Sequence, residues 1–156
     1  MEKIDALNQV AEFHRTFKHP IEKEPVIPDE RRCKLRVALI QEELNELEAA
    51  INENDLVEIA DALCDIQYVL SGAVLEFGLG DKFKELFDEV QRSNMSKTCS
   101  SLEEAEETVA YYKKEREVDC YFKKTDGHYL VYRKSDNKTL KSIQYSPPEL
   151  KSIIES

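Results

Sequence analysis

Between Val37 and Phe77 apolar residues recur at alternating steps of three and four. Val37, Ile40, Leu44, Leu47 and Ile51 form one run; Ile59, Leu63, Ile66, Leu70, Ala73 and Phe77 form the next. That spacing places each run along one side of a helix, in the manner of a coiled-coil seam. Asn54-Asp55 breaks the pattern, and so short a connection makes the two helices antiparallel neighbours. A chain built on such a pair is mainly α.

The flanking segments extend this reading. Residues 3–17 carry Ile4, Leu7, Val10, Ala11, His14 and Phe17 on one face of an amphipathic helix. Pro20, Pro25 and Pro28 make residues 19–28 a loop, and Asp29 caps the helix that follows to about Asn52. The third helix runs to Phe77, where Gly78-Leu79-Gly80 stops it; Asp81 caps a fourth, to about Ser93. Ser101 and Glu104 fit a capping box for a fifth, to about Glu117.

The period then changes. Val118–Lys123 and His128–Lys134 flank Thr125-Asp126-Gly127, a hairpin signal; a third extended piece, Thr139–Tyr145, precedes Pro147-Pro148 and a short C-terminal helix. The expected architecture is one domain: an antiparallel four-helix-type bundle in a helical core of about residues 1–97, with a helix and small β-hairpin appendage over 98–156. So apolar a helix pair exceeds what the short helices can cover, which predicts completion of the core by a homodimer or dimer of dimers.

The 156 residues carry 22 basic and 32 acidic side chains, a net charge of −10. That balance disfavours a nucleic-acid polymer as partner. The longest run without a charged residue, Ile66–Leu75, is far too short to span a membrane, and Met1-Glu2-Lys3-Ile4-Asp5 is acidic too early for a signal peptide. Cys33, Cys64, Cys99 and Cys120 are scattered without a Cys-x-x-Cys pair, as in a cytoplasmic protein with free thiols; Cys64, in an apolar helical run, reads as core packing.

The distribution of charge is unusual. From Val37 to Asp81 there are eleven acids and no Lys or Arg. In the third helix Glu58, Asp61, Asp65 and Glu76 fall within a stripe roughly 60° wide, and such a stripe on a largely covered helix needs cations. Glu42, Glu43 and Glu46 form one turn of carboxylates on the second helix, so Glu43-x-x-Glu46 and Glu58-x-x-Asp61 can face each other across the pair. Four oxygen ligands of this kind suit Mg²⁺ or Mn²⁺. A plainer reading stands beside it: Asp55-x-x-Glu58 is also a capping pair, and Glu42, Glu46 and Glu48 also suit a solvated face. No Glu-x-x-His motif accompanies His14, His19 or His128, which excludes a di-iron carboxylate centre.

The acidic pairs, with Phe13-His14-Arg15-Thr16-Phe17, Leu35–Leu47, Asp61–Tyr68 and Phe87–Lys97, resemble the all-α nucleoside triphosphate pyrophosphohydrolases, the MazG-like superfamily, in its phosphoribosyl-ATP pyrophosphohydrolase-like branch. The similarity covers about residues 5–97, with an echo in Tyr145-Ser146-Pro147-Pro148. It implies Mg²⁺-dependent cleavage of a nucleotide between the α- and β-phosphates, giving a monophosphate and pyrophosphate. By the resemblance Glu43, Glu46, Glu58 and Asp61 hold the metal, and Glu42 shares a second ion or orients water. It further implies that Arg92, Asn94 and Lys97 contact phosphate or sugar, while Asp65 and Tyr68, with His14 a weaker candidate, meet sugar or base. Arg36, on nearly the same helix face as Glu43, can pair with Glu43 or reach phosphate. A deoxynucleoside triphosphate is the expected substrate; phosphoribosyl-ATP, an alarmone, or a non-enzymatic acidic module with a basic partner are the alternatives.

Overall fold

A computed structural model describes residues 4–156. It is mainly helical, with the order α1 (Ala6–Phe17), α2 (Glu30–Glu53), α3 (Leu56–Glu76), α4 (Phe83–Met95), α5 (Leu102–Arg116), β1 (Cys120–Thr125), β2 (His128–Arg133), β3 (Thr139–Leu140) and α6 (Leu150–Glu155). The chain divides into two compact units, Met1–Phe83 and Lys84–Ser156. The division falls at the start of α4, whereas the sequence predicts the end of the helical core near residue 97.

In the first unit, α2 packs on α3 and α1 on α3. Asp29 begins α2 by accepting from the Arg32 amide at 3.0 Å. Asn54 ends it in the left-handed region (φ 56°), and Asp55 starts α3 by accepting from the amides of Val57 and Glu58. Two adjacent residues thus stop one helix and cap the next, which reverses the chain at once. The expected start of the first helix at residue 3 lies outside the described residues.

The Pro-rich loop is stitched to the end of α3, where Glu22 donates to the Leu75 carbonyl and Val26 to that of Phe77, each at 3.0 Å. Gly78 makes this junction possible. Its φ is +67°, and a Cβ placed there would lie 1.9 Å from the Glu24 carbonyl oxygen. Gly78→Ala therefore meets both a left-handed backbone cost and a backbone clash, with an expected loss of at least about 2 kcal/mol in a urea unfolding titration.

Burial along the helix pair corrects one expectation. The C-terminal half of α3 is buried, at Ser71, Gly72, Val74, Leu75 and Glu76, but its N-terminal half, apart from Ala62 and the half-buried Ile59, Asp65 and Ile66, is exposed. The expected seam divides. Ile40, Leu47, Ile59 and Ile66 are half-buried, whereas Val37, Leu44 and Ile51 on α2, and Leu56, Leu63 and Leu70 on α3, are exposed. Each exposed trio repeats every seven residues. Cys64 is also exposed rather than in the core, because it sits on the open half of α3 beside Leu63.

The second unit holds a three-stranded antiparallel sheet in the order β1-β2-β3. Asp126 (φ 48°) and Gly127 (φ 84°) form the tight turn that Asp-Gly signals, with Thr125 opposite His128. One face of β1 and β2 packs on α5 around Cys99, Ala105, Cys120 and Val131. The expected third strand is cut to two residues. Beyond Leu140 the backbone turns to other partners: Ser142 donates to the Lys97 carbonyl (3.0 Å) and Ile143 to Thr108 Oγ1 (3.2 Å).

Candidate functional site

The antiparallel arrangement of α2 and α3 brings the acidic turn of one against the acidic stripe of the other. Glu43 and Asp65 are half-buried, while Glu42, Glu46, Glu58 and Asp61 are exposed. Burial raises the Glu43 carboxyl above the ordinary range, and the charges of Asp65, Glu46, Glu42 and Asp61 push it the same way. Five carboxylates from two helices therefore share one field. Glu58 occupies the exposed first turn of α3. Among the described residues no three of the acid, His or Cys side chains stand close enough together to grip an ion as they are. Like charges repel, so carboxylates without a counter-charge hold apart. The donor set, hard anionic oxygens from facing helices, fits Mg²⁺ or Mn²⁺.

Glu43 and Asp65 also line a cavity of about 460 Å³ between the three helices. Its other walls come from Phe13 and His14 on α1, Arg32 and Arg36 on α2, and Tyr68 on α3. The rings of Phe13 and Tyr68 meet edge to face at 5.6 Å.

Behind this cavity lies a buried ion cluster. Glu76 is 1% exposed and takes hydrogen bonds from both guanidinium groups: Arg32 Nε at 3.0 Å, Arg32 Nη2 and Arg36 Nη2. Burial alone would raise the Glu76 carboxyl, but the bonds from Arg36 and Arg32 outweigh it and hold it below the ordinary range. Glu76 thus finds its cations within the protein and leaves the stripe expected for metal. Arg36, 6% exposed, takes Glu76 as its ion-pair partner.

His14 is 2% exposed. Its Nδ1 donates to the Pro20 carbonyl at 2.8 Å, since a carbonyl only accepts, which leaves Nε2 to accept from Arg36 Nη2 at 3.4 Å. Burial lowers the ring's pKa from its usual value, as does Arg36, so His14 is neutral at pH 7. Gly72 gives the pair room, because a Cβ there would lie 2.8 Å from Arg36 Nη1 and 3.1 Å from His14 Nε2.

Arg92, Asn94 and Lys97 lie in the second unit with partners of their own. Arg92 grips Glu89 with Nε (2.7 Å) and Nη2 (2.8 Å), and Nη2 also donates to the Pro147 carbonyl at 3.1 Å. Arg92, then the Glu149 amide, lower the Glu89 pKa to about 2. Lys97 donates to Asn94 Oδ1 at 2.7 Å. Ser96 binds both the amide and the carbonyl of Ser146, so residues 145–148 dock on the end of α4.

Sequence reasoning missed Arg32 and the role of Glu76. A signal was present: Glu76 follows ten uncharged residues on a helix that had to be covered, and a covered carboxylate needs a cation.

With this geometry in view, the comparisons with known proteins are specific. Residues 10–94, more than half of the chain, match the family described as phosphoribosyl-ATP pyrophosphohydrolase, and the chain belongs to that family. Its membership supports a pyrophosphohydrolase acting on nucleotides. The matched span contains the acidic turn, the stripe and the Arg32–Glu76–Arg36 cluster. An uncharacterized protein of Acanthamoeba polyphaga mimivirus is similar throughout, 28% identical over a 244-position alignment covering 99% of this chain and 97% of the relative. No helix among the described residues is long and apolar enough to cross a membrane.

Proposed function

We propose that this protein hydrolyses a nucleoside triphosphate, with a deoxynucleotide as the expected substrate, between the α- and β-phosphates, releasing the monophosphate and pyrophosphate in a Mg²⁺-dependent reaction. The observation that carries this reading is the shared negative field of Glu43 with Asp65, Glu46, Glu42 and Asp61 on facing helices of a chain in the phosphoribosyl-ATP pyrophosphohydrolase family.

In this reading Glu43, Glu46, Glu58 and Asp61 hold the ion, with Glu58 swinging in from the first turn of α3. When bound, the metal neutralises the triphosphate and lowers the pKa of a coordinated water. Glu42 orients the attacking water from the exposed side of the same turn. Asp65, one turn beyond Asp61 on α3, and Tyr68, about two turns beyond it, meet the sugar and base that follow the phosphates. No nucleophilic side chain is required. Phosphoribosyl-ATP is the second reading, favoured by the family's description; it asks for cleavage of the same bond.

The exposed heptad strips, Val37-Leu44-Ile51 and Leu56-Leu63-Leu70, support a homodimer in which a second copy covers them. The decisive experiment incubates the protein with Mg²⁺ and a panel of NTPs, dNTPs and phosphoribosyl-ATP and resolves the products by chromatography. Monophosphate plus pyrophosphate supports the reading; diphosphate plus orthophosphate, or no turnover of any member, refutes it.

A further inference from the structure

The cavity between α1, α2 and α3 has two chemically different ends. Glu43 and Asp65 make one end acidic; Arg32 and Arg36 make the other basic. On α2, Arg36 precedes Glu43 by seven residues, a rise of about 10 Å, and Arg32, one turn earlier, brings its guanidinium to the same Glu76 oxygen as Arg36. That length matches a nucleotide from its α-phosphate to the far edge of its base. Phe13 and Tyr68 supply aromatic rings to the wall of the same cavity. A nucleotide whose phosphates sit at Glu43, with its sugar beside Asp65, therefore brings the edge of its base to the guanidinium groups.

What that edge meets is almost entirely donors. A guanidinium has five N–H groups and no acceptor. The bonds from Arg32 to Glu76 use Nε and Nη2, which leaves its Nη1 edge for a ligand, and Arg32 keeps 24% of its side chain exposed. Arg36 Nε is a buried donor with no partner among the described residues, and Nη2 of that residue is committed to Glu76 and His14. His14 provides no acceptor, since its Nε2 lone pair already takes the Arg36 proton. Glu76 spends its carboxylate on the same two arginines. The remaining polar side chains at the cavity, His19 and Tyr68, donate as readily as they accept.

We infer that Arg32, held in place by Glu76 and Arg36, selects bases that present an exocyclic oxo group at this edge, the 4-oxo of uracil or thymine and the 6-oxo of guanine or hypoxanthine, over the amino group of cytosine or adenine. An amino group there sets donor against donor and leaves the guanidinium unpaired. This inference rests on the proposed pyrophosphohydrolase reading for the placement of the phosphates.

The test compares nucleotides that differ by that one substituent. kcat/KM is measured with Mg²⁺ for dUTP against dCTP and for dITP against dATP. The oxo member of each pair is expected to be preferred by about tenfold or more. Arg32→Gln is expected to bring both ratios to within about threefold, whereas Arg32→Lys retains part of the preference. Equal rates within the wild-type pairs, preference for the amino members, or ratios unchanged in Arg32→Gln overturn the inference. So does a uniform rise in KM for all four nucleotides, which would make Arg32 a phosphate contact. If no triphosphate is hydrolysed, the catalytic reading fails separately. Calorimetric titration with dUMP against dCMP and dIMP against dAMP then decides the base preference, with tighter oxo binding supporting it and equal binding contradicting it.

Discussion

Asp61→Ala and Glu46→Ala each lower kcat/KM for the best triphosphate by about three orders of magnitude while helix content by circular dichroism is unchanged. The size follows from the several kcal/mol of charge stabilisation that a divalent ion supplies to phosphate chemistry, at about 1.4 kcal/mol per decade. The fold survives because both residues are exposed, and each removal relieves repulsion on Glu43. Retention of full activity in either variant removes the assigned ligands from the site.

The largest stability effect belongs to Glu76. Glu76→Gln leaves two guanidinium groups facing each other around a neutral amide, with Arg36 only 6% exposed. Removing one partner of a buried ion pair costs about 3–5 kcal/mol. For a chain of this length that is about 10 °C in Tm. The pH dependence carries a sign. The folded Glu76 carboxyl lies below its usual 4.5, so its contribution is fully present above that value. It is lost as pH falls through the lowered folded value, and the gap between wild type and Glu76→Gln should close there. A gap that stays constant down to pH 3 contradicts the assignment.

Much of the architecture follows from local patterns. The seam spacing and Asn54-Asp55 mark out α2 and α3 to within a residue or two, because capping and periodicity are properties of neighbouring residues. Asp126-Gly127 marks the hairpin for the same reason. The sequence sets Glu43 and Glu46 against Glu58 and Asp61 by periodicity and antiparallel pairing; in the structure Asp65 and Asp61 are the α3 acids whose charges act on Glu43.

The parts that escaped depend on long-range partners. Arg32 and Glu76 are 44 positions apart, and nothing local says that one buries the charge of the other. Cys64 and the N-terminal half of α3 look like core by composition, but burial depends on what packs against them, and α1 and α2 leave much of that half uncovered within the first unit. Arg92 matches the resemblance, yet its grip on Glu89, three residues away, is the side-chain pairing that a helix surface offers by default.

The most direct measurement is a calorimetric titration of the protein with Mn²⁺ and with Mg²⁺, with and without a nonhydrolysable triphosphate. Saturable uptake by the wild type, strengthened by the nucleotide and lost in the Glu46→Ala/Asp61→Ala double variant, is the predicted result. Absence of uptake even with nucleotide present, or equal uptake by the double variant, would contradict a carboxylate-held metal as the centre of this site.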